Sequence, residues 1–125
     1  MGQKVPSGFS VFDLQEYTTA KEYEDKGDYD TAREWYHKAL AVCERDAGAE
    51  HRDTALVHLN IGATYNCSEQ YAPALEWFIK GYRMLKQTQG DADPYTCASK
   101  IYMQDVYAQL NFPEPFNTWF NREFT

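Results

Sequence analysis

Three histidines and three cysteines are the side chains of this sequence best suited to binding a metal or attacking a carbonyl. His37, His51 and His58 are scattered, and His51 and His58 lack the i, i+4 spacing that sets two imidazoles on one helix face around a metal. Each reads as a surface or capping histidine. Cys43, Cys67 and Cys97 are odd in number, widely spaced and without a C-x-x-C pair. That argues against a disulfide framework or a zinc site, and for a reducing compartment. All three are expected as small apolar fillers. No Ser or Cys sits in a G-x-S-x-G setting, and no glycine-rich loop opens a helix after a strand. Asp and Glu are numerous but fall on helix faces and helix starts, where they serve structure. The sequence predicts no enzyme, no metal site and no cofactor.

Charge narrows the partner class. Nineteen acids against twelve Lys and Arg give a net charge of −7. A surface of that sign repels phosphate backbones, and no basic cluster offsets it, so nucleic acid is not expected. A basic or neutral protein partner fits better. A chain of 125 residues that is 43% hydrophobic and 25% charged is one globular domain. Aromatics make up 16% of it, so large flat rings must fill the interior. No apolar run approaches the roughly 18 residues of a membrane span, and the N-terminus has no signal-peptide core. MGQKVPS resembles a myristoylation signal but places Pro6 where Ser or Thr belongs, with Ser7 one position late. The expected location is the cytoplasm, without membrane attachment.

The elements that position these residues are helices. Ser10 and Asp13 form a capping-box pattern, with Phe9 as a staple, before a helix over VFDLQEYTTAKEYEDK that Gly27 stops. Asp28 caps a second helix, which Gly48 ends. Asp53 opens a third over TALVHLNIGATYNC. Ser68 and Pro73 suit the first turn of a fourth, running to Gly90. Asp93-Pro94 starts a fifth that ends near Asn111, and Pro113 and Pro115 suit the first turn of a short sixth. No alternating run with hairpin signals interrupts this series, so the fold class is all-α.

The helices repeat. Sliding the chain by 42 residues superposes every tryptophan: Trp35, Trp77 and Trp119. The following aromatics align as Tyr36, Phe78 and Phe120, and the basic residues as Lys38, Lys80 and Arg122. Tyr23, Tyr65 and Tyr107 share the period, as do Ala20 with Gly62 and Ala32 with Ala74. Small residues let two helices approach closely while neighbouring aromatics fill the gaps between hairpins. One hairpin alone leaves an apolar face exposed, so three must stack. On this reading Trp35 and Trp77 are buried packing teeth whose truncation to Ala costs about 3–5 kcal/mol each. Trp119 costs less, because Gln104 and Phe116 occupy the small positions of the third unit.

GDYDTAREWYHKAL, residues 27–40, resembles the turn and second helix of the tetratricopeptide repeat, and Tyr71, Ala74 and Phe78 hold the same places in the second unit. The family's usual period is about 34 residues. The 42-residue period and the connectors at 49–65 and 92–107 look more like the kinesin-light-chain-type subgroup, with its longer helices. The resemblance implies a right-handed α-solenoid of three hairpins, in units of about 10–48, 52–90 and 93–124 within a domain 10–125; a flexible arm, residues 1–9, is expected before it. It also implies a protein-binding role, with the first helix of each hairpin lining a concave groove. By position the lining is Tyr17, Lys21 and Glu24, then Leu59, Asn60, Ala63 and Asn66, then Ile101, Tyr102, Asp105 and Ala108.

Asn60 can hold both N–H and C=O of a peptide backbone; its plainer role is a surface amide making local bonds. The family's clamp for a C-terminal carboxylate needs several groove cations, and here only Lys21 is present, with Ala98 and Tyr102 at basic positions. Glu24 and Asp105 suit a neutral or basic segment with apolar anchors. The chain's last turns carry Trp119, Phe120 and Phe124 with no following hairpin, which predicts an aromatic edge for self-association, giving a homo-oligomer, or for docking. A small chaperone for one specific partner is a further alternative.

Overall fold

The computed structural model describes residues 8–125; the MGQKVPS segment and residues 1–7 of the expected arm lie outside the described residues. A 3-10 turn at Val11–Asp13 precedes six helices: α1 (Gln15–Asp25), α2 (Tyr29–Asp46), α3 (Arg52–Cys67), α4 (Tyr71–Gln89), α5 (Pro94–Gln109) and α6 (Phe116–Phe124). No strand occurs among the described residues. Connectors of three to six residues make successive helices antiparallel hairpin partners, so α1, α3 and α5 run in one direction. α3 is the central rod, buried on most of its surface from Asp53 to Thr64.

The helix boundaries follow local chemistry. The Asp28 carboxylate accepts from the Thr31 N–H at 3.3 Å and starts α2. Asp93 accepts from Tyr95 and Thr96 at 2.9 and 3.3 Å, with Pro94 as the first helical residue. Stops recur with the period: Gly27, Glu69 and Asn111 all lie at positive φ, +81°, +60° and +55°. Only the first is a glycine. The left-handed region costs an ordinary side chain about 1 kcal/mol, less for asparagine, so Glu69 is the strained member of the series.

Several boundaries depart from expectation. The first helix breaks at Leu14, whose extended ψ of 131° separates α1 from the 3-10 turn capped by Ser10. The turn leaves the helical path because Val11 is drawn to α3, where its N–H donates to Asp53 Oδ2 at 3.0 Å. Asp53 is therefore a buried anchor rather than a helix cap. The cap of α3 is His51, whose Nδ1 accepts from the Asp53 N–H at 3.0 Å. Phe9 sets its ring edge-on to that imidazole, with centroids 6.3 Å apart, and lies against the core. Ser68 closes α3, Gln70 precedes α4, and Pro73 is the third residue of α4, where an amide donor is not needed. Pro113 and Pro115 both precede α6.

Burial assigns the repeated residues their roles. Tyr36, Phe78 and Phe120 are the core aromatics, while Trp35, Trp77 and Trp119 are only half-buried. Adjacent helix positions lie about 100° apart, so only one of each pair can face the seam. The indoles of Trp35 and Trp77 instead lie beneath Lys38 and Lys80, whose ammonium groups stand 4.0 and 4.5 Å from the ring centroids. Arg122, their counterpart, pairs with Glu114 and Glu123.

The third hairpin is looser. Gln104 and Glu123 stand where Gly62 and Gly81 permit contact in the second, so α5 and α6 cannot close in the same way. The face of α6 turns onto α4: Phe120 and Phe124 lie 5.3 and 4.9 Å from Tyr82, and Lys86 donates to the Phe124 carbonyl at 2.8 Å.

Urea unfolding should rank these contacts. Tyr36→Ala and Phe78→Ala should each lose about 3–5 kcal/mol, with Trp35→Ala and Trp77→Ala clearly below them; equal losses would return the tryptophans to the core. Glu69→Gly should gain about 1 kcal/mol by relieving its backbone, and a loss would show that Glu69 is not strained.

Candidate peptide-binding cleft

α1, α3 and α5 enclose a concave cleft of about 450 Å³. α3 forms its floor with Leu56, Leu59, Asn60, Ala63, Asn66 and Cys67. The α1 side supplies Phe12, Tyr17, Lys21 and Glu24, and the α5 side Tyr95, Ala98, Tyr102 and Asp105. Residues 42 apart oppose one another: Lys21, Ala63 and Asp105 form one such row. The small Ala63 at its centre leaves the space that makes the cleft deep.

Polar contacts hold the α1 side in place. Asn60 Nδ2 donates to the Tyr17 hydroxyl at 2.8 Å, so one amide hydrogen is used locally while Oδ1 and the other hydrogen stay free. Burial, opposed by the Asn60 hydrogen bond and aided by Glu24, raises the Tyr17 phenol above its ordinary range and keeps it neutral. Glu24 accepts from the Tyr36 hydroxyl and lies 3.7 Å from Lys21 Nζ. Burial and that carboxylate together push the Tyr36 phenol far up. Phe12 meets Tyr17 edge-on at 5.6 Å, and Tyr102 lies over Phe78 at 5.5 Å.

Most of the groove residues expected on the three first helices line this one cleft; Ile101 and Ala108 do not. Ile101 is 57% exposed and borders a separate hollow with Tyr82, Lys100 and Phe124. Its counterpart Leu59 packs on Gly81, whereas Ile101 has Glu123 in that place and no such seat. Ala108 lies in a dent beside Phe112 and Phe116. Phe12, Leu56, Cys67, Phe78 and Tyr95 join the lining without having been expected there, and Ala98, a groove position considered for a clamp cation, lines it too. Extending the α5 stripe one turn toward its N-terminus finds Tyr95 and Ala98; Phe12 follows only from the break at Leu14.

The remaining chemistry-bearing residues are dispersed. Cys43 is buried, and burial with nearby Asp53 pushes its thiol up to about 12. Cys67 and Cys97 are exposed rather than filling the core. No cluster of three metal-ligating side chains exists among the described residues, and none of their helices is long and apolar enough to cross a membrane. His58 is neither surface nor cap: it is buried beside Trp77, 5.2 Å between centroids, with Nδ1 unpartnered. His37 approaches the same indole at 5.4 Å. The C-terminal aromatics expected as an open edge, Phe120 and Phe124, are buried, and Trp119 is half-covered by Tyr107, Phe116 and Phe124.

Stacked antiparallel hairpins around a concave surface define a helical-repeat solenoid. Residues 13–87 match the tetratricopeptide repeat family, and the chain belongs to it. Repeats of this family are generally protein–protein interaction modules and non-enzymatic scaffolds. BtubC (BKLC) from P. vanneervenii shares the fold at a TM-score of 0.70 and 14% identity, over 81% of this chain and 44% of that one. A Podosopora anserina putative kinesin light chain with nearly identical TPR-like repeats superposes at 0.69 and 16% identity, over 82% and 49%. A singly substituted form of that protein gives 0.66 and 18%, over 76% and 45%. The chain thus spans under half the length of each. A search of curated proteins finds no match.

His58 yields a pH prediction. Burial first, then Lys80 and His37, lower it from 6.5 to about 4, while Glu44, Glu50 and Arg83 share its hollow. The unfolded chain therefore takes up a proton that the folded chain refuses. This contribution to stability is whole above pH 6.5 and drains as pH falls toward 4. Between pH 7.5 and 5, His58→Phe should lose about 2 kcal/mol less than the wild type in urea unfolding. Equal losses would remove His58 from the account.

Proposed function

We propose that the chain is a non-enzymatic protein–protein interaction module that holds a segment of a partner protein in the cleft between α1, α3 and α5. The observation that carries this reading is where the rings lie. Phe12, Tyr95 and Tyr102 are at least 40% exposed, and all three face one concavity. Exposed aromatic surface gathered in a recess, with polar groups beside it, is the usual make-up of a recognition site. Asn60 adds a free amide oxygen at the floor, suited to a backbone N–H. The self-association reading through Trp119, Phe120 and Phe124 draws less support, because two of those rings are already satisfied by Tyr82.

The test blocks the cleft without touching the core. Ala63→Arg adds bulk to a half-exposed floor position, and Tyr102→Ala removes an exposed ring. In affinity capture from the native cell, read by mass spectrometry, both variants should lose the partners that the wild type retains. Unchanged capture by variants with wild-type unfolding midpoints would rule out the cleft.

A further inference from the structure

The cleft is chemically polarised along its length. Phe12, Leu56 and Tyr95 lie toward the N-terminal ends of their elements and form an aromatic end. Glu24, Asn66, Cys67 and Asp105 lie in or beside the last turns of α1, α3 and α5 and form a polar end. Because these three helices run in one direction, their carbonyl termini gather at the polar end, where aligned peptide dipoles place negative potential.

How the chain treats its helix ends sharpens the point. The outer helices α2, α4 and α6 each carry a basic residue in the last turn: Arg45, Lys86 and Arg122. The cleft helices α1, α3 and α5 carry none. Lys26, at the α1 cap, lies over the Tyr23 ring at 5.4 Å and is not part of the lining. Lys21, the one cation among the described residues that line the cleft, stands 3.7 Å from Glu24, which balances it. Asp105 is exposed and has no cationic side chain within salt-bridge distance among the described residues. The polar end thus holds one unbalanced carboxylate and the termini of α3 and α5, which have no basic residue in the last turn or at the cap, on a chain of net charge −7.

We infer that the cleft's occupant is a basic segment, with a Lys or Arg side chain beside Asp105 and apolar or aromatic anchors over Phe12, Tyr95 and Tyr102. The inference rests on the cleft reading and adds the sign and direction of the ligand. The exposed tyrosine rings serve it twice, since a ring face that packs an apolar side chain also attracts a cation.

The test is selection of a phage-displayed library of random peptides on the full chain, followed by fluorescence-anisotropy titration of a recovered peptide. Recovered sequences should pair Lys or Arg with aromatic or branched apolar residues. Asp105→Lys should weaken the peptide about tenfold and Asp105→Asn about threefold, with affinity falling as NaCl rises. The same peptide with Glu in place of its basic residues should not bind. Asp105 is exposed, so both variants should keep the wild-type unfolding midpoint. Acidic or uncharged recovered peptides, lost with Tyr102→Ala but indifferent to Asp105→Lys, would overturn the basic-ligand inference and leave the cleft standing. Peptides indifferent to Tyr102→Ala and Ala63→Arg, or no enrichment at all, would overturn the cleft reading and this inference with it.

Discussion

The contact on which the rest of the molecule depends is the close approach of α3 and α4 at Gly62. A Cβ there would stand 2.7 Å from two ring carbons of Phe78 and 3.3 Å from the Ala74 carbonyl. Gly81 meets Leu59 in the same way one layer further along, at 2.6 Å. Two glycines on facing helices thus let the backbones close until aromatic and aliphatic side chains lie against bare main chain. That distance sets the spacing within the second hairpin, whose outer helix α4 packs in turn against α5, as α2 packs against α3.

The first hairpin meets the same constraint with Ala20 and Ala39, both fully buried, one methyl group larger than the glycines. The third hairpin does not meet it. With Gln104 and Glu123 in the close-contact positions, α6 finds its seat on Tyr82 instead, and the connector is tied by Tyr107, whose hydroxyl donates to the Glu114 carbonyl at 2.6 Å. One substitution pattern thereby explains the exposed Ile101, the inward Phe124 and the aromatic cluster around Tyr107.

The fold was largely legible because the repeat is written in residue types that packing requires: small opposite aromatic, and aromatic beside basic. The cleft was legible for the same reason, since a face on one helix transfers to its copies by adding 42. What periodicity could not carry was phase within an aromatic pair. Trp35 and Tyr36 are both large and apolar, and only the direction of the seam shows which one is buried. Nor could it carry contacts without a repeat counterpart. Asp53 reads as a helix cap from its place before an apolar run; its real partner is the Val11 amide on another segment. Ile101 failed by the transfer rule itself, because its partner position had changed from Gly81 to Glu123.

Asp53 also ties stability to the cleft. Its carboxylate is buried and holds Val11, and Val11 holds the 3-10 turn that places Phe12 at the mouth. A carboxylate taken out of water must be hydrogen-bonded to be tolerated, and here it accepts from the Val11 amide, which fixes one wall of the cleft. Arg52 Nε, 3.4 Å from the other oxygen, adds a partly exposed counter-charge. The exposed Phe12 ring is thus not a loose aromatic on an unanchored segment. It is held by the same central helix that supplies the floor, so the α1 side of the cleft and its base are set by one rod.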